Sequence, residues 1–193
     1  EAIFHKSGKQ ISDWAVWIAQ DGLVDGKSEY YIENKDMQKA IFNKEGKQIS
    51  DWYDDINEEG LVNGKSDYYI VEKNDKYAIF HKDGQQISDW YDAVLPEGLV
   101  EGQSDFYIVL KKDKYAIFDK NGNQITDWYD EIMPYGLVIN QSDYYWAKKD
   151  NKYAIFDKDG QRISDWFDHI EGYGSNYYLV EQDGWKTILY QDG

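Results

Sequence analysis

The residues best suited to chemistry are five Asp-Trp pairs that recur at one fixed spacing. They are Asp13-Trp14, Asp51-Trp52, Asp89-Trp90, Asp127-Trp128 and Asp165-Trp166. An indole ring can stack on the apolar face of a sugar, while the adjacent carboxylate accepts hydrogen bonds from sugar hydroxyls. A structural interpretation stands beside this one: the Trp packs between units, and the Asp or the preceding Ser fixes a turn. Because packing also requires one such residue in every unit, the structural role is favoured.

Aromatic pairs form a second recurring feature, at Tyr30-Tyr31, Tyr68-Tyr69, Phe106-Tyr107 and Tyr144-Tyr145. Neighbours on a strand point to opposite faces, so one member of each pair should be buried and the other exposed. Exposed members would form a row of rings suited to an interface, although support of neighbouring units is favoured. The candidate ligand-binding residues are Trp52, Trp90, Trp128, Trp166, Asp51, Asp89, Asp127, Asp165, Tyr69, Tyr107 and Tyr145.

Two turn sequences resemble calcium loops, Asp157-Lys-Asp-Gly and Asp119-Lys-Asn-Gly. A calcium-binding EF-hand needs about 12 residues that end in Glu between two helices, and neither condition is met. The equivalent positions in other copies read His5-Lys-Ser-Gly and Asn43-Lys-Glu-Gly. Possible ligands therefore change while the Gly stays, which predicts a hairpin turn with no bound metal.

No motif predicts catalysis. His5, His81 and His169 have no spacing suited to a metal site or a triad, and the chain lacks both a nucleophile elbow and a phosphate-binding loop. Paired carboxylates of a glycosidase are possible among 37 acidic residues. An active site is usually one asymmetric constellation, whereas this chain is nearly symmetric. We expect no enzymatic activity and no cofactor.

Composition restricts the partners. The net charge is −16, with Lys residues scattered among carboxylates, which argues against nucleic acids and anionic membranes. No segment reaches the ~18 apolar residues of a membrane helix, so membrane insertion is not expected. The absence of Cys excludes disulfides and thiolate sites. Since the chain starts within a repeat pattern and shows no signal peptide, we expect part of a longer or processed protein, located outside the cell or on its surface.

A repeat of 38 residues organises the whole chain. Ala-Ile-Phe occurs at 2–4, 40–42, 78–80, 116–118 and 154–156, and Gly-Leu-Val follows in constant phase in the first four copies. The last copy is shortened, as expected at the end of a stacked array. The pattern predicts a single repeat domain over 1–193. Its units are about 2–39, 40–77, 78–115, 116–153 and 154–186, with a capping strand at 187–193.

Each unit is predicted to be all-β. In the third unit, strands are expected at Tyr77–Phe80, at Gln85–Tyr91 and over residues 105–110, with a possible fourth strand that ends at Leu99-Val100. Turns are expected at Gly84, through a positive φ, and at 111–114. No segment shows the periodicity of an amphipathic helix.

The order Lys-Tyr-Ala-Ile-Phe-Asp-Lys-Asp-Gly, then Trp-Tyr-Asp, Gly-Leu-Val and Tyr-Tyr, resembles the WG (or KWG) β-repeats of bacterial proteins. The resemblance runs from Ala2 to Gly193. Tyr77-Ala78, Tyr115-Ala116 and Tyr153-Ala154 stand where that family has Trp-Gly. The resemblance implies a bacterial source, a long open array and a role in interactions, and it supplies no catalytic residues.

Two architectures fit β-units of this length: an open array or solenoid, and a five-bladed β-propeller. Thr187-Ile188-Leu189 resembles a sixth copy of the Ala-Ile-Phe strand, whereas there are five Asp-Trp segments, and this surplus strand favours the open array. The predicted function is non-enzymatic, either a bacterial surface module that engages a protein partner or forms a stalk, or a lectin-like module with one glycan site per unit. The protein-partner hypothesis predicts buried Trp and an exposed Tyr or acidic stripe. The lectin hypothesis predicts exposed Trp faces in shallow pockets.

Overall fold

The computed structural model describes residues 1–172 and 177–190. Within them the chain is all-β and contains no helix, and its strands form five three-stranded antiparallel sheets. The sheets are β1 (Trp17–Ile18), β2 (Tyr30–Lys35) and β3 (Gln38–Asn43); β4 (Asp55–Ile56), β5 (Tyr68–Lys73) and β6 (Lys76–His81); β7 (Ala93–Val94), β8 (Phe106–Lys111) and β9 (Lys114–Asp119); β10 (Glu131–Ile132), β11 (Tyr144–Lys149) and β12 (Lys152–Asp157); β13 (His169–Glu171), β14 (Tyr177–Gln182) and β15 (Trp185–Tyr190). The fold class and the repeat predicted from the sequence are confirmed.

The two long strands of each sheet form a hairpin with a two-residue loop. Both loop residues have positive φ, as at Asn74 (52°) and Asp75 (57°), or Lys112 (52°) and Asp113 (59°). Such loops match the right-handed twist of the strands they join. Asn and Asp enter this region at low energetic cost, which explains their frequency in the loops. The turn predicted at 111–114 is confirmed, and so is the positive φ of Gly84 (86°).

The strand predicted at Gln85–Tyr91 is wrong. Only isolated bridges, Phe80 to Gln86 and Tyr77 to Tyr91, join this segment to β6. Between them the Ser88 hydroxyl accepts a hydrogen bond from the Ile79 amide at 2.9 Å and donates to the Asp89 carbonyl at 2.9 Å. The side chain therefore replaces ladder hydrogen bonds and turns the backbone away from the strand direction. Ser12, Ser50, Thr126 and Ser164 accept the equivalent amide hydrogen bond in the other copies.

The Gly-Leu-Val segment forms a turn, so the possible fourth strand at Leu99-Val100 is wrong and its place is taken by the short β7. Gly60 explains why the turn is tight. Its φ is 88°, and a Cβ there would overlap the Tyr68 carbonyl and lie 2.9 Å from the Val100 carbonyl. The Ser66 hydroxyl donates to that Val100 carbonyl at 2.6 Å. The close backbone contacts of Gly60 and the hydrogen bond of the Ser66 hydroxyl therefore fix this turn.

Contacts divide the chain into two compact units, Glu1–Pro96 with Val100–Gly102, and Glu97–Leu99 with Gln103–Gly193. In the first, one core includes Tyr53, Ile56, Tyr69, Val71 and Phe80. In the second, a core contains Trp146, Ile155, Ile170, Tyr178 and Val180. The single domain, its unit boundaries and the open array stay predictions. Of the predicted capping strand, 187–190 belong to β15, while 191–193 lie outside the described residues.

Candidate functional site

The structure places the predicted site residues at three depths. The carboxylates of Asp51, Asp89, Asp127 and Asp165 are exposed, and the indoles of Trp52, Trp90, Trp128 and Trp166 are half-buried. Tyr69, Tyr107 and Tyr145 are at most 1% exposed. One member of each aromatic pair is therefore buried, as predicted, but it is the member that we selected for ligand binding. A ligand could contact those three rings only by displacing their packing.

Each half-buried Trp packs on aromatic rings of the core. The Tyr69 ring stacks on Phe80 with centroids 5.8 Å apart, and Phe80 meets Trp90 edge-on at 6.3 Å. Tyr53 contacts the same two rings, at 5.7 Å from Phe80 and 6.3 Å from Trp90. The Trp side chains thus have the packing role that was favoured, while part of each indole stays exposed.

A first cleft opens beside the Asp13-Trp14 pair. It has a volume of about 330 Å³, near the lower end of the range for small-molecule sites. Its lining comprises Ile11, Ser12, Asp13, Trp14, Ala15, Tyr31, Glu33, Lys35, Phe42, Gly46, Gln48 and Trp52. Trp14 is 74% exposed, so its ring face is available to a ligand. The cleft therefore combines aromatic faces with charged groups of both signs.

A second cleft, of about 310 Å³, occupies the equivalent place one repeat later. Residues 38 positions apart line both: Ile11 and Ile49, Ser12 and Ser50, Asp13 and Asp51, Ala15 and Tyr53, Tyr31 and Tyr69, Phe42 and Phe80, Gly46 and Gly84. In each cleft the buried Tyr hydroxyl, of Tyr31 or Tyr69, has no hydrogen-bond partner. The repeat thus reproduces a cleft as well as a fold.

The unpartnered hydroxyls of Tyr31 and Tyr69 are unusual, because buried polar groups are nearly always hydrogen-bonded. Burial raises the pKa of Tyr31, and the charges of Glu33 and Asp13 raise it further. For Tyr69, burial, Tyr53 and Asp51 act in the same direction on the pKa. Both hydroxyls therefore stay protonated and keep a proton to donate. The nearby Asp carboxylates are exposed and accept hydrogen bonds, whereas both Tyr hydroxyls lie behind the surface of the cleft.

The two clefts differ at two equivalent positions. Ala15 in the first cleft corresponds to Tyr53 in the second, and Glu33 corresponds to Val71, which lies in the core. Glu33 is 6% exposed, and its Oε1 has no hydrogen-bond partner. Burial raises the pKa of the Glu33 carboxyl, and the Asp13 charge adds to this, while Lys35 opposes it.

Sequence reasoning missed Ala15, Tyr31 and Glu33 as site residues. Both Ala15 and Glu33 depart from the repeat, because the other copies have Tyr53, Tyr91, Tyr129 and Phe167 at the first position and Val71, Val109, Ala147 and Val180 at the second. A column-by-column comparison of the copies would have found them. A search for recurring residues does not find positions at which one copy differs from the others.

A third cleft, of about 400 Å³, lies beside β4 and is lined by Lys39, Asp55, Glu58, Glu72 and Tyr77 among others. Lys39 forms an ion pair with Asp55, and its ammonium lies 5.6 Å from the Trp17 ring centroid. Lys39 and Asp55 therefore have partners within the protein, whereas Glu33 Oε1 has none. This cleft offers a ligand less unmet hydrogen-bonding capacity than the first.

The turns that resemble calcium loops use their carboxylates locally. Asp119 Oδ1 accepts hydrogen bonds from the amides of Asn121 and Asn123, both at 2.9 Å. The His81 Nδ1 lies 2.9 Å from Asp83. Throughout 1–172 and 177–190, no group of three or more acidic or His side chains converges as a metal site would require. The same residues include no helix with the length and hydropathy for crossing a membrane.

No family model matches the chain, and no curated protein does. The resemblance to WG repeats therefore stays a prediction. Among solved structures, the chain is similar to Kluyveromyces lactis Hsv2 with loop 6CD replaced by a Gly-Ser linker, at 14% identity and a TM-score of 0.40, over 86% of this chain and 60% of that one. It is also similar to Kluyveromyces lactis Hsv2 with complete loop 6CD, at 13% identity and a TM-score of 0.40, over 86% and 57%. The chain thus spans about three fifths of these proteins, and scores of this size do not establish a shared fold.

Proposed function

We propose that the chain is a non-enzymatic, multivalent glycan-binding module with a shallow cleft in successive repeats. The observation that carries the proposal is the recurrence of one cleft, lined by an exposed Asp and by aromatic rings, at a spacing of 38 residues. A glycan presents the same chemistry at each of its sugar units. A protein with equivalent clefts at regular steps is suited to such a ligand.

The groups in each cleft fit a sugar. A sugar hydroxyl donates hydrogen bonds, so it can donate to the exposed carboxylate of Asp13 or Asp51. Aromatic surface supplies the apolar contact, from Trp14 and Trp52 in the first cleft and from Tyr53 in the second. Single shallow clefts bind weakly, and linked ones raise the apparent affinity without new contacts.

The alternative, a protein-binding surface or stalk, draws support from the exposed carboxylates of Asp51, Asp89, Asp127 and Asp165, but not from an exposed Tyr row. Tyr69, Tyr107 and Tyr145 lie in the core, and their partners Tyr68, Phe106 and Tyr144 are half-buried. The recurring clefts, rather than the aromatic pairs, are the reason for proposing a glycan as the partner. We propose a location outside the cell or on its surface, where glycans are displayed.

A glycan array tests the proposal with two charge-matched variants. In one, Asp13→Asn and Asp51→Asn remove the carboxylates of both clefts. In the other, Asp67→Asn and Asp105→Asn remove two exposed carboxylates outside them, each paired with a Lys at about 3 Å. We expect selective glycan binding that falls about tenfold or more in the first variant, because linked sites amplify the loss, and stays unchanged in the second.

Circular dichroism and thermal unfolding establish that both variants are folded. If the wild-type chain binds nothing on the array, with or without calcium, the glycan-binding proposal is contradicted and the protein-partner hypothesis is favoured. Equal losses in the two variants would show that general negative charge, rather than the clefts, governs the signal.

A further inference from the structure

Glu33 occupies a position where the repeat otherwise has an apolar residue. It lies in the middle of β2, paired with Ala40 and Ile18 on the adjacent strands. Burial of a carboxylate without a partner is strongly unfavourable, and Glu33 Oε1 has none. Val71, Val109 and Val180 show that an apolar side chain suits this strand. The carboxylate therefore serves something other than the packing of the sheet.

Ala15 provides the space beside it. The larger Tyr53 lines the second cleft at the equivalent position, and Tyr91, Tyr129 and Phe167 stand there in later copies. Ala15 and Glu33 both line the first cleft. Two departures from the repeat thus meet at one place, where one replaces an aromatic ring by a methyl group and the other adds a carboxylate.

The charged groups that face Glu33 are Asp13 and Lys35. Asp13 belongs to the turn segment after the first Ala-Ile-Phe, and Lys35 ends β2. The two carboxylates leave the cleft with a net negative charge. A ligand cation would compensate it, and a charge-assisted hydrogen bond to Glu33 is stronger than a neutral one. The rings of Trp14 and Trp52 add surfaces on which a cation or a sugar face is stabilised.

We propose that the first cleft selects a glycan unit with a free ammonium group, that is, an amino sugar that is not N-acetylated. The inference rests on the proposed glycan-binding function and names the sugar class for one of its clefts. An ammonium group is compact enough to reach a carboxylate that is 6% exposed after a small side-chain rotation. An acetamido group is bulkier and carries no charge to offset that of Glu33.

A matched pair of ligands tests this selection: a trimer of β-1,4-linked glucosamine and the corresponding N-acetylated trimer, compared by calorimetry at pH 6. At this pH the amine is charged. Wild type should bind the free amine about tenfold more tightly, and Glu33→Gln should remove most of the difference. The control Glu131→Gln removes one exposed carboxylate from β10, outside the cleft, and should keep the preference. Ala15→Tyr, which copies the later repeats, should place a ring in the lining beside Glu33 and reduce the preference for the free amine, while the N-acetylated trimer still binds.

Equal affinities of the wild type for the two trimers, or no binding of either, would overturn the proposed selection. So would an equal loss in Glu33→Gln and Glu131→Gln, because the attraction would then be general. A positive glycan array together with any of these results would leave the proposed function intact. A blank array together with no trimer binding would contradict both the proposed function and the proposed selection of the free amine.

Discussion

The first and second clefts share one backbone and differ in two side chains. In the second, Tyr53 fills the space beside Phe80 and Val71 joins the core. In the first, Ala15 leaves that space open and Glu33 faces it. Gly and Ser residues hold the backbone through contacts that do not involve these positions. The repeat thus keeps its backbone contacts while the side chains that line a cleft differ between copies. One cleft can therefore bind a ligand of different chemistry in the same fold.

The largest effect is expected where the shared scaffold is broken. Gly60→Ala places a Cβ against the carbonyls of Tyr68 and Val100 at a φ of 88°. Strain and overlap together should lower the free energy of unfolding by about 3 kcal/mol or more, measured by urea denaturation. Gly26→Ala is the control: its φ is 80°, but nothing lies within 4 Å, so a loss of about 1 kcal/mol is expected. Equal losses would show that backbone overlap does not fix the turn.

A slightly smaller effect is expected from making the second cleft like the first. Tyr53→Ala removes a ring that is 5% exposed and contacts Phe80 and Trp90, which should cost about 3 kcal/mol in urea denaturation. Tyr53→Phe keeps the ring, as Phe167 does in the fifth copy, and should change stability by less than about 1 kcal/mol. If Tyr53→Ala were as mild as Tyr53→Phe, the packing of the ring on Phe80 and Trp90 would not stabilise the fold.

The Ser hydroxyl that lines each cleft, of Ser12 in the first and Ser50 in the second, should contribute less to stability. Ser50→Ala leaves the buried Ile41 amide without its acceptor and should lower the free energy of unfolding by about 1 to 2 kcal/mol. Ser50→Thr should retain most of the stability, because Thr126 makes the same hydrogen bond to Ile117 at 3.0 Å. A Thr variant as unstable as the Ala variant would contradict the assigned role of the hydroxyl.

The smallest expected effect is a stabilisation that depends on pH. Because burial raises the pKa of Glu33, the folded state holds that proton more tightly than the unfolded chain does. Glu33→Gln should therefore raise the free energy of unfolding by about 1 kcal/mol at pH 7, where the unfolded chain ionises this carboxyl and burial opposes its ionisation. The gain should shrink as the pH falls through the raised pKa, and vanish below the ordinary value of 4.5. A difference that is constant between pH 7 and pH 4 would show that ionisation of Glu33 does not penalise folding.

The sequence predicted the class, the repeat and the hairpins because each follows from local rules: alternation, loop residues and the fixed spacing of Ala-Ile-Phe. It did not predict that the Ser88 side chain would replace strand hydrogen bonds, because the sequence of residues 85–91 is also compatible with a strand. It could place one Tyr of each pair in the core but not decide which one. That decision depends on the stacking of Tyr69 on Phe80, a contact between strands that one strand's sequence does not contain.

We propose that ligands bind in the repeated clefts. The most direct test of this location is a ¹H–¹⁵N correlation spectrum of the chain, titrated with the strongest ligand from the glycan array. The indole signals of Trp14 and Trp52 and the amides of Ser12, Asp13, Ser50 and Asp51 should shift, with later changes at the equivalent residues of other repeats. Shifts confined to the Gly-Leu-Val turns or to β15, with the cleft signals unmoved, would contradict the account.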